Sequence, residues 1–381
     1  MQLDDLLRGL AERNGSDLYL TADSPPLYRV DGATVPAIPQ SLDSGEVEAL
    51  IRAALRPADL EEFDRTSELN SARAVPGVAR FRLNVFRQRG AVGLVARRIQ
   101  SDVPDAKKMA LPAVLCDLVM SKRGLILVTG ATGSGKSTTL AALIDHRNQN
   151  SRGHILTIED PIEFVHPHKG CIVTQRELGV DTASYAAGLK SALRQAPDVI
   201  LIGEMRDHDT VEAAIHFAET GHLVLGTLHA NNANQAVERV MNFFSADTHE
   251  GLYAQLGLNL RAIVSQRLVP RARGAGRVAA IEIMVNTPRV ADLISKGEIA
   301  ALKPAIEQNA GDGSQTFDMA LFELLRAGQI TLDEALRQAD SANNLRLRVK
   351  MLEAGERAAT LAGSSAPAES PFALKKDEEA A

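Results

Sequence analysis

A chain of 381 residues is long enough to bury two separate cores. Hydrophobic residues at 45% and charged residues at 24% are the proportions of an ordinary globular protein. The net charge of −6, aromatics at 4% and absence of tryptophan argue against a nucleic-acid partner, which calls for a basic surface or stacking rings.

The chain opens with an acidic amphipathic helix (Leu3, Leu6, Leu7 and Leu10 on one face), unlike a signal peptide. No apolar run approaches the ~18 residues of a membrane span, so a cytoplasmic location is expected. Ser16 to Leu20 reads as a strand and Pro25-Pro26 as a turn. Ser44 is the expected N-cap of a helix burying Val47, Leu50, Ile51 and Leu55, and a second helix is expected from Pro57 to Phe63. Arg80 to Val85 alternates strictly, with Phe81, Leu83 and Val85 on one face. It returns after Gly90 as Ala91 to Ile99. Arg80, Arg82, Arg87, Arg89, Arg97 and Arg98 on this hairpin form either a solvated strand face or an arginine face for phosphates.

An α+β domain over 1–100 is therefore expected, then a Pro- and Lys-bearing linker at 101–112. Residues 113–285 alternate strands (125–128, 155–158, 171–174, 199–202, 223–226, 279–285) with helices (137–147, 184–194, 209–219, 232–243). That order implies an α/β fold with a mostly parallel sheet, whose ligands sit beyond the carboxyl ends of its strands. Residues 286–353 read as all-helical, and 354–381 as a disordered tail. Cys116 and Cys171 stand far apart, which excludes a four-cysteine zinc site and gives no disulfide framework.

Gly130 to Ser137 fits G-x-x-x-x-G-K-[ST], between an apolar strand and a helix. Its glycines let the amides of Thr132, Gly133, Ser134 and Gly135 converge on an anion, with the following helix offering its positive end. Lys136 would reach the β- and γ-phosphates of ATP, Ser137 would bind Mg²⁺, and Thr138 follows on the same turn.

Three acid- or histidine-bearing junctions follow strands. Glu159, Asp160 and Glu163 come after Ile155–Ile158; they are either a surface acidic turn or carboxylates facing a Mg²⁺–phosphate site, one of them orienting water. Glu204, just past Val199–Ile202, is the expected metal-side carboxylate, since Asp198 sits at the other end of that strand. His222 and His229 flank Leu223–Leu228 and are either structural, sensors of the γ-phosphate or bridges between subunits. His166 and His168 are expected at the surface.

Together these stretches resemble the secretion ATPases of the type IV pilus and type II secretion superfamily. Gly130–Ser137 resembles their Walker A motif, Thr157–Glu163 their Asp box, Leu201–Asp207 their atypical Walker B and Gly221–His229 their His box. The opening Gly15-Ser16-Asp17-Leu18, Gln315–Asp318 and the lack of a cysteine-rich insertion resemble the PilT/PilU retraction branch. Within it, Ser341–Leu347 and the tail resemble the PilU members, and Val290–Lys296 lacks the arginines of the matching PilT segment.

The resemblance implies a PAS-like N-terminal domain, a RecA-like P-loop NTPase domain and a homohexamer. It implies catalytic roles for Glu163, Glu204 and His229, with Ser137 and Glu204 toward Mg²⁺. It also implies that arginines of the Arg80, Arg82, Arg97 and Arg98 region reach nucleotide. The expected function is a cytoplasmic ATPase at the inner-membrane base of the pilus machine, driving retraction beside a PilT-like ATPase and against a membrane platform protein. The alternative is an ATP-binding adaptor of that partner motor.

Overall fold

Alternating residues build the first sheet. In the computed structural model, which describes residues 1–99 and 102–363, six antiparallel strands lie in the order β3-β2-β1-β6-β5-β4. They are β1 (Asp17–Leu20), β2 (Leu27–Val30), β3 (Ala33–Pro36), β4 (Glu68–Val75), β5 (Ala79–Gln88) and β6 (Ala91–Arg98). Phe81, Leu83 and Val85 point together into a core against α1 (Leu3–Glu12), α2 (Ser44–Arg52) and α3 (Pro57–Thr66). The cap of α2 is Asp43 rather than Ser44. Its carboxylate accepts from Glu46 N at 2.8 Å, and Glu46 returns an acceptor to Asp43 N at 2.9 Å.

After α4 (Ala113–Val119) the second sheet runs β13-β12-β7-β11-β10-β8-β9. Its strands are β7 (Gly124–Thr129), β8 (Gly153–Glu159), β9 (Cys171–Glu177), β10 (Val199–Ile202), β11 (Leu223–Leu228), β12 (Leu260–Pro270) and β13 (Arg277–Val285). All pair in parallel except β12 with β13. Central strands are buried on both faces, as a helix-covered parallel sheet requires. Ile126 and Val128 face α4 and α5 (Lys136–Asn150). Leu125 and Leu127 face the side covered by α6 (Tyr185–Ala192), α7 (His208–Glu219), α8 (Ala233–Met241) and α9 (His249–Asn259).

The sequence pattern did not mark β2, β3, β4, α9 or β12. Strand β12 carries Arg261, Ser265, Gln266 and Arg267 among its apolar residues, and follows α9 without a turn, so no period stands out.

The C-terminal helices are α10 (Pro288–Ser295), α11 (Leu302–Gln308), α12 (Phe317–Arg326), α13 (Leu332–Gln338) and α14 (Ala342–Gly363). Helix α14 continues past Ala354, where disorder was expected; the rest of that expected tail, 364–381, lies outside the described residues. Among the described residues no helix is long and apolar enough to cross a membrane.

Candidate nucleotide site

Parallel register brings the polar junctions to one edge. Ile202 of β10 stands beside Ile158 of β8 and Gly226 of β11, and Gly226 beside Leu127 of β7. The residues just beyond these positions therefore converge. They line a cavity of about 400 Å³ that includes Thr132, Gly133, Lys136, Ser137, Glu163, Glu204 and His229.

The loop has the backbone a phosphate cradle needs. Gly133 (φ +76°) and Gly135 (φ +91°) occupy the left-handed region. Nothing lies within 4 Å of where a Cβ of Gly133 would stand, so its surface stays open. Lys136 Nζ donates to the carbonyls of Gly130 (2.9 Å) and Ala131 (3.0 Å). Burial pulls its pKa down, opposed by the charges of Glu204 and Glu163. Ser134 turns under the loop, with a buried hydroxyl that has no partner. Ser134, Gly135 and Thr138 put no side chain into the cavity lining, so they can serve a ligand there only through their backbone amides.

Glu204 anchors a charged group. One carboxylate oxygen meets His229 Nε2 at 2.9 Å, the other Arg206 at 2.6 Å, and Arg206 also reaches Asp160 at 3.3 Å. Thr227 donates its hydroxyl to Gly203 O and pins the turn that carries Glu204. Glu163 is exposed at the cavity rim, the position from which a carboxylate can orient water. The Ser137 hydroxyl and Glu204 carboxylate are oxygen donors of the type Mg²⁺ takes beside phosphate and water. Among the described residues there is no cluster of three or more metal-ligating side chains, so an ion here would depend on those other oxygens.

A second tier sits behind. Glu159 lines the cavity with its carboxyl held by the Thr157 hydroxyl (2.7 Å) and the Gln175 amide (3.2 Å); burial pushes its pKa to about 7. His166 is not at the surface as expected. It is buried in the same cavity wall, because its backbone N–H is drawn in to Gln175 Oε1 at 2.8 Å. Burial depresses its pKa to about 4, and its Nδ1 has no partner. Arg206, Thr227 and Gln175 escaped the sequence reading, although the first two lie within the stretches it singled out.

The five other expected ligands lie outside the cavity of this chain. His222 is at the amino end of β11, a strand length from the loop, where Nδ1 sits 3.1 Å from Phe217 O and 3.2 Å from the Thr220 hydroxyl. Pairing of Arg82 with Arg97, and of Phe81 with Arg98, puts Arg98 on the opposite sheet face from Arg82 and Arg97. There Arg98 donates to Ala11 O and Asn14. Arg97 is held by Asp17 at 2.7 Å, and Arg80 by Glu177 of β9 at 3.0 Å. The six hairpin arginines therefore do not form one face.

Comparison with known proteins agrees with this architecture. Residues 103–337 match the family model of the Type II/IV secretion system protein. The chain is 50% identical to the type IV pilus ATPase PilU of Pseudomonas aeruginosa, over 92% of each chain. It is 42% identical to the pilus retraction ATPase PilT of the same organism, over 90% of this chain and all of that one. A crystal structure of the pilus retraction motor PilT with bound ADP superposes with a TM-score of 0.83 at 39% identity, covering 90% of this chain and 98% of that one.

Proposed function

Because the chain belongs to the Type II/IV secretion system protein family, in its PilT/PilU branch, we propose that it is an ATPase that powers type IV pilus retraction. The observation that carries this reading is the meeting of Lys136 and Ser137 with Glu163 and the Glu204–His229 pair in one cavity at the loop. The loop amides and the amino end of α5 hold the phosphates of ATP, and Lys136 neutralises them. Ser137 and Glu204 hold Mg²⁺, which when bound offsets phosphate charge. Glu163 orients the attacking water. His229 and Arg206 hold the Glu204 carboxylate in place.

The working form is a homohexamer in the cytoplasm, at the inner-membrane base of the pilus. There it acts beside a PilT-like ATPase on a membrane platform protein. Relatives named a type IV pilus ATPase and a type IV pilus retraction ATPase support the link to the pilus.

The test is ATP hydrolysis by the purified full chain beside Lys136→Ala and Glu163→Gln, with assembly size measured in parallel. Activity that rises with assembly, and falls at least ~100-fold in both variants, is expected. A folded assembly that binds ATP without hydrolysing it would replace this reading with that of an ATP-binding adaptor.

A further inference from the structure

The face of the loop turned away from the cavity is held by one side chain. Strand β12 runs parallel to β7, with Ser265 beside Thr129, so Gln266 falls next to Gly130, the first residue of the loop. Gln266 is 2% exposed. Its Nε2 donates to Ser134 O at 2.9 Å, and its Oε1 accepts from the Thr139 hydroxyl at 2.8 Å. The Ser134 carbonyl can only accept, which fixes the orientation of the amide. One buried side chain thus ties the crown of the loop to the second turn of α5.

The contact is close enough to exclude substitution. A Cβ on Gly135 would stand 2.7 Å from Gln266 Nε2, and one on Gly130 would stand 2.6 Å from Gln266 O. The consequence for the cradle comes from peptide geometry. The Ser134–Gly135 bond is trans, so its C=O and N–H point in opposite directions. Drawing Ser134 O toward β12 aims Gly135 N–H away from β12. Gly135 is also the N-cap of α5, with φ at +91°.

We propose that Gln266 is the positioning residue of the phosphate loop, presetting the Gly135 amide for phosphate through the Ser134 carbonyl. This rests on the reading of the loop as the nucleotide site. Lys136 contributes charge to that site, and Gln266 contributes the shape of the loop. An isosteric apolar replacement leaves both partners buried and unmatched, and lets the peptide rotate.

The discriminating variant is Gln266→Glu. When protonated, its carboxyl reproduces both contacts, donating to Ser134 O and accepting from Thr139. When ionised, it cannot donate and repels the carbonyl.

Binding of fluorescent Mg-ADP and Mg-ATP analogues would be measured for the full-length wild type, Lys136→Ala, Gln266→Leu and Gln266→Glu, with thermal unfolding of each nucleotide-free chain as a folding check. Gln266→Leu is expected to bind about tenfold more weakly than wild type. Relative to wild type at each pH, Gln266→Glu is expected to be about tenfold weaker near pH 8.5 and to recover near pH 6. Should Gln266→Leu fail to fold, the Gln266→Glu ratio decides alone. A folded Gln266→Leu with wild-type affinity, or a ratio that stays flat with pH, overturns the proposal. Absence of nucleotide binding by the wild type, or equal binding by Lys136→Ala, would instead remove the nucleotide-site reading and this inference with it.

Discussion

Removing Arg80 should loosen the junction between the two sheets of this protein. Arg80 leaves β5 and meets Glu177 at the end of β9 at 3.0 Å, with side-chain exposures of 24% and 5%. Truncating one partner of a fully buried ion pair costs about 3–5 kcal/mol, because the other charge is left without compensation. Here Arg80 retains some water, and Glu177 keeps a long contact to Ile162 N at 3.4 Å, so about 2 kcal/mol is expected for Arg80→Ala. Glu177→Leu removes the stranded charge. The double variant should therefore be more stable than the sum of the two single losses predicts, with a coupling of about 1–2 kcal/mol. Urea denaturation of the four proteins measures this. A coupling below about 0.5 kcal/mol would refute the view that the pair is a buried joint. Because Glu177 also bonds the backbone one residue before Glu163, the single variant should lower ATP turnover more than nucleotide affinity.

Two titratable groups of the cavity wall should pull stability in opposite directions as pH changes. Glu159, raised from 4.5 to about 7, favours folding at low pH and loses that contribution as pH rises toward 7; His166, lowered from 6.5 to about 4, favours folding at higher pH and loses its contribution as pH falls from 6.5 toward 4. Denaturation midpoints of Glu159→Gln should therefore climb more steeply than wild type between those limits, and those of His166→Phe less steeply, each by on the order of 2 kcal/mol; profiles parallel to wild type would show that the groups titrate normally. Asp43→Ala should cost about 1 kcal/mol through loss of the reciprocal cap on α2, read by the same denaturation, and an unchanged midpoint would mean that solvent satisfies those amides equally well.

What was legible in the sequence follows how local the signal is. Gly130 to Ser137 carries its own geometry, since glycine tolerance and the start of α5 are properties of neighbouring residues. Glu159, Glu204 and His229 could be placed because strands of a parallel sheet end together, so each junction pointed to the same edge. The arginines could not, because their positions depend on register. Arg97 and Arg98 are adjacent in sequence, yet alternation sends one to Asp17 and the other to the α1 end of the opposite face. His166 looked like a surface residue among Val165, Pro167 and His168, but Gln175 of β9 draws it inward, a contact no local pattern reveals. Gln266 lies on a strand whose polar residues hid it, so the partner of Ser134 and Thr139 emerges only once β12 is seen beside β7.

The charge balance of the cavity bears on why the protein should work as an assembly. The side chains lining it include the carboxylates Glu159, Asp160, Glu163 and Glu204 against the cations Lys136 and Arg206. Even with Glu159 partly protonated near neutral pH, and Arg206 bonded to Glu204 and Asp160, the walls are acidic. A polyphosphate placed there meets repulsion that Lys136 and the loop amides only partly offset, and the charge that develops during phosphoryl transfer needs further cations. Mg²⁺ held by Ser137 and Glu204, as proposed above, would supply some of them. Arg82, on the same sheet face as Arg80 and Arg97, does not line its own chain's cavity, and a neighbouring copy is the simplest source of the rest. On this reasoning isolated chains are expected to bind nucleotide and turn it over slowly, and hydrolysis is expected to gain most when a second copy closes the cavity.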